Sequence, residues 1–351
     1  MGDPIQLLIS IDVEPDDQQV DRDDPGPWRG FEDLLRQIAP FRRRFAERTG
    51  RPAHFAWYWR LDPQIEEAYG AAAWPLRMYA AAIDDLSRAE DAFGVHTHAW
   101  RWSRERRSWF ADHANRTWVS RCLHSSFDTF ERYFQAPCTA HRFGHSWIDD
   151  AALDEIERLG ADYDLTIEAG HPPGPVHGWR KFNTGEIPDL RQVPKRPYRR
   201  GRIWIVPVSG ASLVMDGAGG LQVAGEPDRR PRQSNPLDRL FAVASRFWPT
   251  GSPASRSGAA RKGPAGGRRP RPRFWALNIP FLRPEVFACA FEHALSASRS
   301  RYVHTVARAG DLARPDMRAN FLANMDFLSG HPLAHRFQVS TPGRLAASWA
   351  Q

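Results

Sequence analysis

The fold of this 351-residue chain is decided by residues 5–14, which read Ile5-Gln6-Leu7-Leu8-Ile9-Ser10-Ile11-Asp12-Val13-Glu14. Apolar side chains dominate the run up to Val13, which favours a strand buried inside a parallel sheet. Side chains of an extended strand alternate between two faces, so Asp12 and Glu14 point the same way at its carboxyl end. In α/β barrels and open sheets, that end of a strand carries the functional loops.

Helical and strand-like patterns alternate after this run. Helical periodicity covers residues 28–48, 74–88, 119–134, 149–159, 284–297 and 315–328. Short apolar runs predict strands at residues 53–59, 92–96, 139–142, 163–167, 203–208 and 302–304. Alternation of this kind is typical of a parallel sheet or barrel, so the expected fold class is α/β.

Two stretches interrupt the alternation. Residues 169–202 are rich in Pro, Gly and Arg, which predicts a long surface excursion. Residues 249–273 consist mainly of Gly, Pro, Ser and Arg, and we expect them to form a disordered insertion. An apolar fraction of 42% across the chain allows one large α/β barrel or two ordinary domains.

The charge distribution bears on nucleic-acid binding. The formal net charge is +7, and residues 249–273 contain six arginines and one lysine but no acid. The basic excess therefore belongs to the predicted insertion rather than to a folded surface. Nucleic-acid binding through the insertion is an alternative hypothesis, although its arginines alternate with Gly and Pro instead of the aromatic residues that stack on bases.

Cysteine use and the amino terminus predict a cytoplasmic location. Cys122, Cys138 and Cys289 have no paired spacing, so we interpret them as buried thiols in a reducing compartment. The first residues lack the basic and apolar regions of a signal peptide, and no apolar run approaches membrane-spanning length. A role at the cell surface would need another route of export.

A second strand end carries residues suited to a metal-dependent hydrolytic site. His96 and His98 lie two residues apart, so a strand would point both imidazoles to one face. Glu14, His96 and His98 are the candidate ligands, and Asp12 remains as the base that such a site needs.

A cation and a further histidine complete the candidate site. Arg142 follows another predicted strand, where its guanidinium could keep Asp12 ionised and oriented. His304 ends a short apolar run and could donate a proton to a leaving group. Each residue also has an ordinary structural interpretation, as an ion pair for Arg142 and as a core histidine for His304.

The order of these segments resembles the polysaccharide deacetylase family, also called carbohydrate esterase family four. The resemblance covers residues 5–167 and extends more loosely through residues 304–341. It implies one distorted (β/α) barrel over residues 1–351, carrying the excursion and the insertion, and a divalent metal, most often zinc. It assigns Asp12 as base, Glu14, His96 and His98 as ligands, Arg142 as the residue that positions the base, and His304 as general acid.

The activity implied is removal of N-acetyl groups from an amino-sugar glycan or its precursor. Metal-activated water, deprotonated by Asp12, would attack the acetyl carbonyl, and His304 would protonate the departing amine. The segment His96-Thr97-His98-Ala99-Trp100 is similar to a His-x-His-x-Trp variant from a bacterial branch linked to surface-polysaccharide loci.

Three departures from the family pattern leave alternatives open. Val13 separates two acids that are usually adjacent, Trp100 stands where a second histidine is usual, and His145 replaces a basic residue. Asp12 and Glu14 could therefore exchange the roles of ligand and base. Hydrolysis of a non-sugar amide and a non-catalytic glycan-binding barrel are the alternative functions, and the oligomeric state is unknown.

Overall fold

The computed structural model describes residues 4–176, 182–215, 221–223, 272–297 and 302–349. The strands in these ranges are β1 (Ile5–Val13), β2 (Ala56–Arg60), β3 (Ala92–Thr97), β4 (Trp100–Ser103), β5 (Ser108–Ala111), β6 (Ala140–Phe143), β7 (Tyr163–Asp164), β8 (Gly174–Pro175), β9 (Glu186–Ile187), β10 (Tyr198–Arg200), β11 (Ile203–Ile205), β12 (Gly210–Met215), β13 (Leu221–Val223), β14 (Arg273–Ala276), β15 (Tyr302–Arg308) and β16 (Phe337–Val339). The helices are α1 (Arg29–Thr49), α2 (Pro63–Tyr69), α3 (Trp74–Met78), α4 (Ala80–Arg88), α5 (Arg116–Phe134), α6 (Asp150–Arg158), α7 (Pro284–Ala297), α8 (Pro315–Gly330) and α9 (Pro342–Trp349).

A curled sheet forms the centre of the molecule. Its strands follow the order β10-β11-β7-β6-β3-β2-β1-β15, and β16 pairs with the start of β1. Neighbouring strands are parallel except β10 and β11. The curl brings Ser209, which follows β11, close enough to donate its backbone N–H to the carbonyl of His304 in β15, at 3.0 Å. The α/β class predicted from the sequence is confirmed, with the sheet curled into a half-barrel.

Strand β1 divides its side chains between the two faces of this sheet. Ile5, Leu7, Ile9, Ile11 and Val13 belong to the main core, which lies between sheet and helices. Leu8 belongs instead to a smaller apolar cluster together with Tyr58 and Tyr302. By the same alternation, Ser10 and Asp12 face the inside of the curl.

The helices cover the outer face of the sheet. Helix α1 buries Phe31, Leu34, Ile38, Phe41 and Phe45, which recur every three or four residues and so form one apolar stripe. Its amino terminus is held by Asp16, whose carboxylate accepts the backbone N–H of Gly30 at 2.8 Å. None of the helices in the described ranges has both the length and the apolar composition needed to cross a bilayer.

Several predicted elements differ from the observed ones. The helix expected at residues 74–88 is interrupted at Tyr79, which has φ −109° and ψ 26° and packs its ring edge-on against Phe31 at 4.9 Å. Helix α2 and the hairpin β4–β5 were not predicted, although Asp62 caps α2 and Pro63 begins it. Cys122 and Cys138 are buried as expected, whereas Cys289 is partly exposed.

The two irregular stretches have different outcomes. Within residues 169–202, expected to form a surface excursion, Val176, Ile187 and Leu190 are buried and β10 joins the edge of the main sheet. Residues 249–271 of the predicted insertion (249–273) lie outside the described residues. Its last residue, Arg273, begins β14 and pairs with β12.

Candidate metal centre

Parallel register brings several strand ends together inside the curl. Arg60, His96 and Arg142 are register partners across β2, β3 and β6. Asp12 is the register partner of Arg308 across β1 and β15. Because carboxyl ends of parallel strands meet at one edge of a sheet, five polar side chains from separate parts of the chain share one small volume.

Glu14, His96 and His98 form the group of possible metal ligands found among the described residues. The two imidazole Nε2 atoms are 2.9 Å apart, and Oε2 of Glu14 lies 3.4 Å from Nε2 of His98 and 4.0 Å from Nε2 of His96. All three side chains are 1–2% exposed. Ligand atoms around a tetrahedral zinc at about 2.0–2.1 Å are spaced about 3.3 Å apart, so the three donor atoms fit one ion.

The protonation state of His96 also suits a ligand. Its Nδ1 is 3.0 Å from the carbonyl oxygen of Arg142, which can only accept, so Nδ1 carries the proton and Nε2 presents a lone pair. Burial lowers the pKa of His96 despite the nearby carboxylates of Asp12 and Glu14. Burial, with Arg60 adding to it, lowers the pKa of His98 further. Both rings are therefore neutral near pH 7, as metal coordination requires.

Glu14 is ionised because it pairs with Arg308, and the buried Arg60 lies close to it. Burial alone would raise its pKa, but Arg308 and then His98 and His96 hold it well below the usual value. Arg308 pairs with Oε1 of Glu14, and Nη1 of Arg60 lies 3.3 Å from Oε2. A carboxylate in this state can bind a metal, although both of its oxygens already have cationic partners.

Asp12 is held in place by Arg142. Nε of Arg142 donates to Oδ2 of Asp12 at 3.0 Å and lies 2.8 Å from Oδ1 without hydrogen-bond geometry. Nη1 of Arg142 donates to the carbonyl of Leu165 at 2.5 Å. Burial opposes the charge on Arg142, but Asp12, Glu168 and Asp164 outweigh it and raise the pKa of the guanidinium.

One oxygen of Asp12 lacks a hydrogen bond within the described structure. Oδ1 is buried and has no hydrogen-bond partner among the described residues, and it lies 3.9 Å from Nδ1 of His96. A carboxylate oxygen with an unused lone pair beside the candidate ligands can accept a proton from a bound water.

The structure does not bring His304 into this group. Its register partner is Leu8, four residues before Asp12, which corresponds to about 13 Å along the strand. Nε2 lies 2.8 Å from the hydroxyl of Ser10, and Nδ1 lies 3.2 Å from the carbonyls of Val206 and Pro207. The side chain is fully buried, and burial, with Arg142 adding to it, lowers its pKa to about 3. The His304 ring therefore contacts Ser10 and the loop after β11 instead of the candidate ligands.

Sequence reasoning missed Arg60, Asp62 and Arg308. Arg60 is fully buried and pairs with Asp62 at 2.9 Å, while Asp62 also accepts the backbone N–H of His98 at 3.0 Å. Arg308 ends β15, four residues beyond the end of the predicted strand. The signal was available, because both arginines follow apolar strands in the same way as Glu14 and Arg142.

Most tryptophans near the site cannot offer a stacking face to a sugar ring. Trp57, Trp59, Trp100 and Trp147 are at most 2% exposed, whereas Trp102 is half-buried and partly accessible.

Comparison with known proteins gives limited similarity. No family model and no curated protein matches the chain. A solved structure from Mycobacterium smegmatis, provisionally named a polysaccharide deacetylase, aligns at TM-score 0.45 and 10% identity over 99% of this chain and 93% of its own. A branching enzyme from Thermococcus kodakaraensis aligns at TM-score 0.44 and 9% identity over 99% and 72%. IcaB from Ammonifex degensii aligns at TM-score 0.23 and 11% identity over 48% and 85%. At these scores the assignment of function rests on the geometry of the site.

Proposed function

We propose that this protein is a metal-dependent hydrolase of amide bonds that removes N-acetyl groups from an amino-sugar glycan or glycan precursor. The observation that carries the proposal is the convergence of Glu14, His96 and His98 beside Asp12, one of whose oxygens has no hydrogen-bond partner in the described structure. The sugar substrate rests on the resemblance of the three motifs to the deacetylase family. A divalent ion, with zinc the first choice for one carboxylate and two imidazoles, would be held by Glu14, His96 and His98.

Such an ion would lower the pKa of water and polarise the acetyl carbonyl. The proton transfers are carried out by residues of the chain. Asp12 accepts the proton of the attacking water at Oδ1 while Arg142 holds Oδ2. Asp12 then returns the proton to the departing amine nitrogen, so that water and amide become carboxylic acid and amine. This route assigns no proton transfer to His304, because its ring is buried below the site.

A second candidate is a glycan-binding barrel without turnover. The specific observation in its favour is that Arg60 and Arg308 already neutralise Glu14 within the protein. Metal content separates the two candidates. If Arg60 and Arg308 already balance the charge of Glu14, a binding protein needs no metal ion at this site.

The first test measures zinc in the purified protein after dialysis against a weak chelator. About one equivalent in the parent, and little in a His96→Ala, His98→Ala double variant, is expected. His335→Ala, at an exposed histidine, is the matched control and should keep the metal. No metal in the parent, even after zinc is added, would rule out the hydrolase.

Acetate release from N-acetylated sugars of increasing length, compared with small acetylated amines, then identifies the substrate class. Turnover of the sugars supports the proposal. Turnover of the small amides alone would replace the glycan with a non-sugar substrate.

A further inference from the structure

His145 contacts the second ring nitrogen of the candidate ligand His98. Nε2 of His145 is 3.1 Å from Nδ1 of His98, and the two rings are nearly perpendicular with centroids 4.4 Å apart. Trp100 lies almost parallel to the His98 ring, at an interplanar angle of 7° and 6.2 Å between centroids. His98 thus has an aromatic neighbour beside its ring and an imidazole at the nitrogen that does not face Glu14.

The backbone that presents His145 is in an unusual conformation. His145 has φ 62° and ψ 17°, and Ser146 has φ 53°, so two consecutive non-glycine residues are left-handed. Such residues are uncommon, and this conformation is less costly for glycine. A Cβ on Gly144 would lie 2.2 Å from the His98 ring, so the turn approaches the ligand as closely as a glycine allows. Left-handed residues held by their surroundings cluster at functional sites.

Only one proton fits between Nδ1 of His98 and Nε2 of His145. Which of the two rings carries this proton decides whether His98 can bind metal. With the proton on Nδ1 of His98, Nε2 of His98 presents a lone pair beside Nε2 of His96 and Oε2 of Glu14. With the proton on His145, neutral His98 carries its own proton on Nε2 and cannot coordinate.

We infer that His145 is a positioning residue that accepts the Nδ1–H of His98 and so holds this ligand in its metal-binding tautomer. The inference rests on the metal site of the proposed function. His96 has the equivalent arrangement, because its Nδ1–H donates to the carbonyl of Arg142 at 3.0 Å. Each of the two imidazole ligands then has an acceptor behind it, which is how proteins orient histidines toward a metal.

The test measures zinc affinity of the full-length protein by competition with a chromophoric chelator. His145→Leu removes the acceptor, and we expect about 10–100-fold weaker zinc binding. His145→Gln keeps a polar atom at a similar distance from the backbone and should bind zinc within about threefold of the parent. Both replacements are non-glycine residues, so they experience the same cost of the left-handed backbone.

His145→Gly separates positioning from a purely structural role. Glycine removes the imidazole and relieves the left-handed conformation, so the metal-free variant should melt at the same or a higher temperature while zinc binding weakens about 10–100-fold. Arg107→Gly is the matched control, because Arg107 is exposed and left-handed with φ 47°. It should not change zinc affinity.

The tautomer provides a readout that does not depend on metal. Without an ion, Nε2 of His98 faces two acceptors, His96 Nε2 at 2.9 Å and Glu14 Oε2 at 3.4 Å, which favour the Nε2–H form. Long-range proton–nitrogen spectra of the metal-free proteins should therefore show more of the Nδ1–H form of His98 in the parent than in the Leu variant. If the parent binds zinc and the Leu, Gln and Gly variants bind it equally well, the inference is wrong while the proposed function stands. If the parent binds no zinc, both are wrong. Should the Leu variant fail to fold, the difference between the Gln and Gly variants decides.

Discussion

Burial of His304 predicts a specific loss of stability in mild acid. Its pKa in the folded protein is lowered to about 3, below the value of about 6.5 expected in the unfolded chain. Between these values the unfolded state binds a proton that the folded state does not, so stability falls as the pH decreases. Above the unfolded pKa the ring is neutral in both states, and its contribution no longer changes with pH.

The magnitude follows from these two pKa values. Lowering the pH from 7 to 5.5 protonates His304 almost entirely in the unfolded chain and hardly at all in the folded protein. Integrating over that interval gives a loss of about 1.3 kcal/mol in the free energy of unfolding. His96 and His98, whose pKa values are also lowered by burial, add losses of the same sign.

The assay is urea unfolding of the parent and of His304→Gln at both pH values. Glutamine cannot titrate and still offers an acceptor to the hydroxyl of Ser10, which lies 2.8 Å from Nε2 of His304. The parent should lose about 1.3 kcal/mol more than the variant on acidification, because the contributions of the other histidines cancel in the comparison.

Equal losses in the two proteins would refute the reasoning, since His304 would then titrate normally in both states. A second readout concerns its expected role as general acid. If the ring is buried below the site, the variant should keep kcat within about tenfold of the parent, whereas loss of a general acid lowers the rate by about 10²–10⁴-fold.

Three other substitutions probe the site. Asp12→Asn should lower kcat for acetate release by about 10²–10⁴-fold with zinc affinity unchanged. Loss of zinc binding would instead indicate that Asp12 is a ligand and that Glu14 acts as the base. Gly144→Ala should weaken zinc binding in a chelator titration, because the added Cβ would lie 2.2 Å from the His98 ring and overpacking of this kind costs about 1–3 kcal/mol. Arg308→Met should destabilise the protein by about 3–5 kcal/mol in urea unfolding, because it removes one partner of the buried Glu14 carboxylate; a loss below about 1 kcal/mol would show that Arg60 alone suffices.

The pattern of apolar residues within single segments was enough to predict much of the secondary structure. The strand expected at residues 5–13 is β1 residue for residue, and the helix expected at residues 284–297 has the observed bounds. Both depend on the sequence of apolar residues within one element, which determines the face that each side chain takes. The break at Tyr79 was not visible in that way, because it accompanies contacts with Phe31 from a different helix.

Strand alternation within short segments by itself put Asp12 and Glu14 on one face and paired His96 with His98. It could not specify how far along its strand each side chain lies relative to the adjacent strands, or which residues of those strands it contacts. Register between β1 and β15 places His304 beside Leu8 and leaves Arg308 beside Asp12, so the arginine rather than the histidine reaches the acidic strand end. Register depends on contacts between residues about 300 positions apart in the chain, so only the tertiary structure decided which residues complete the site.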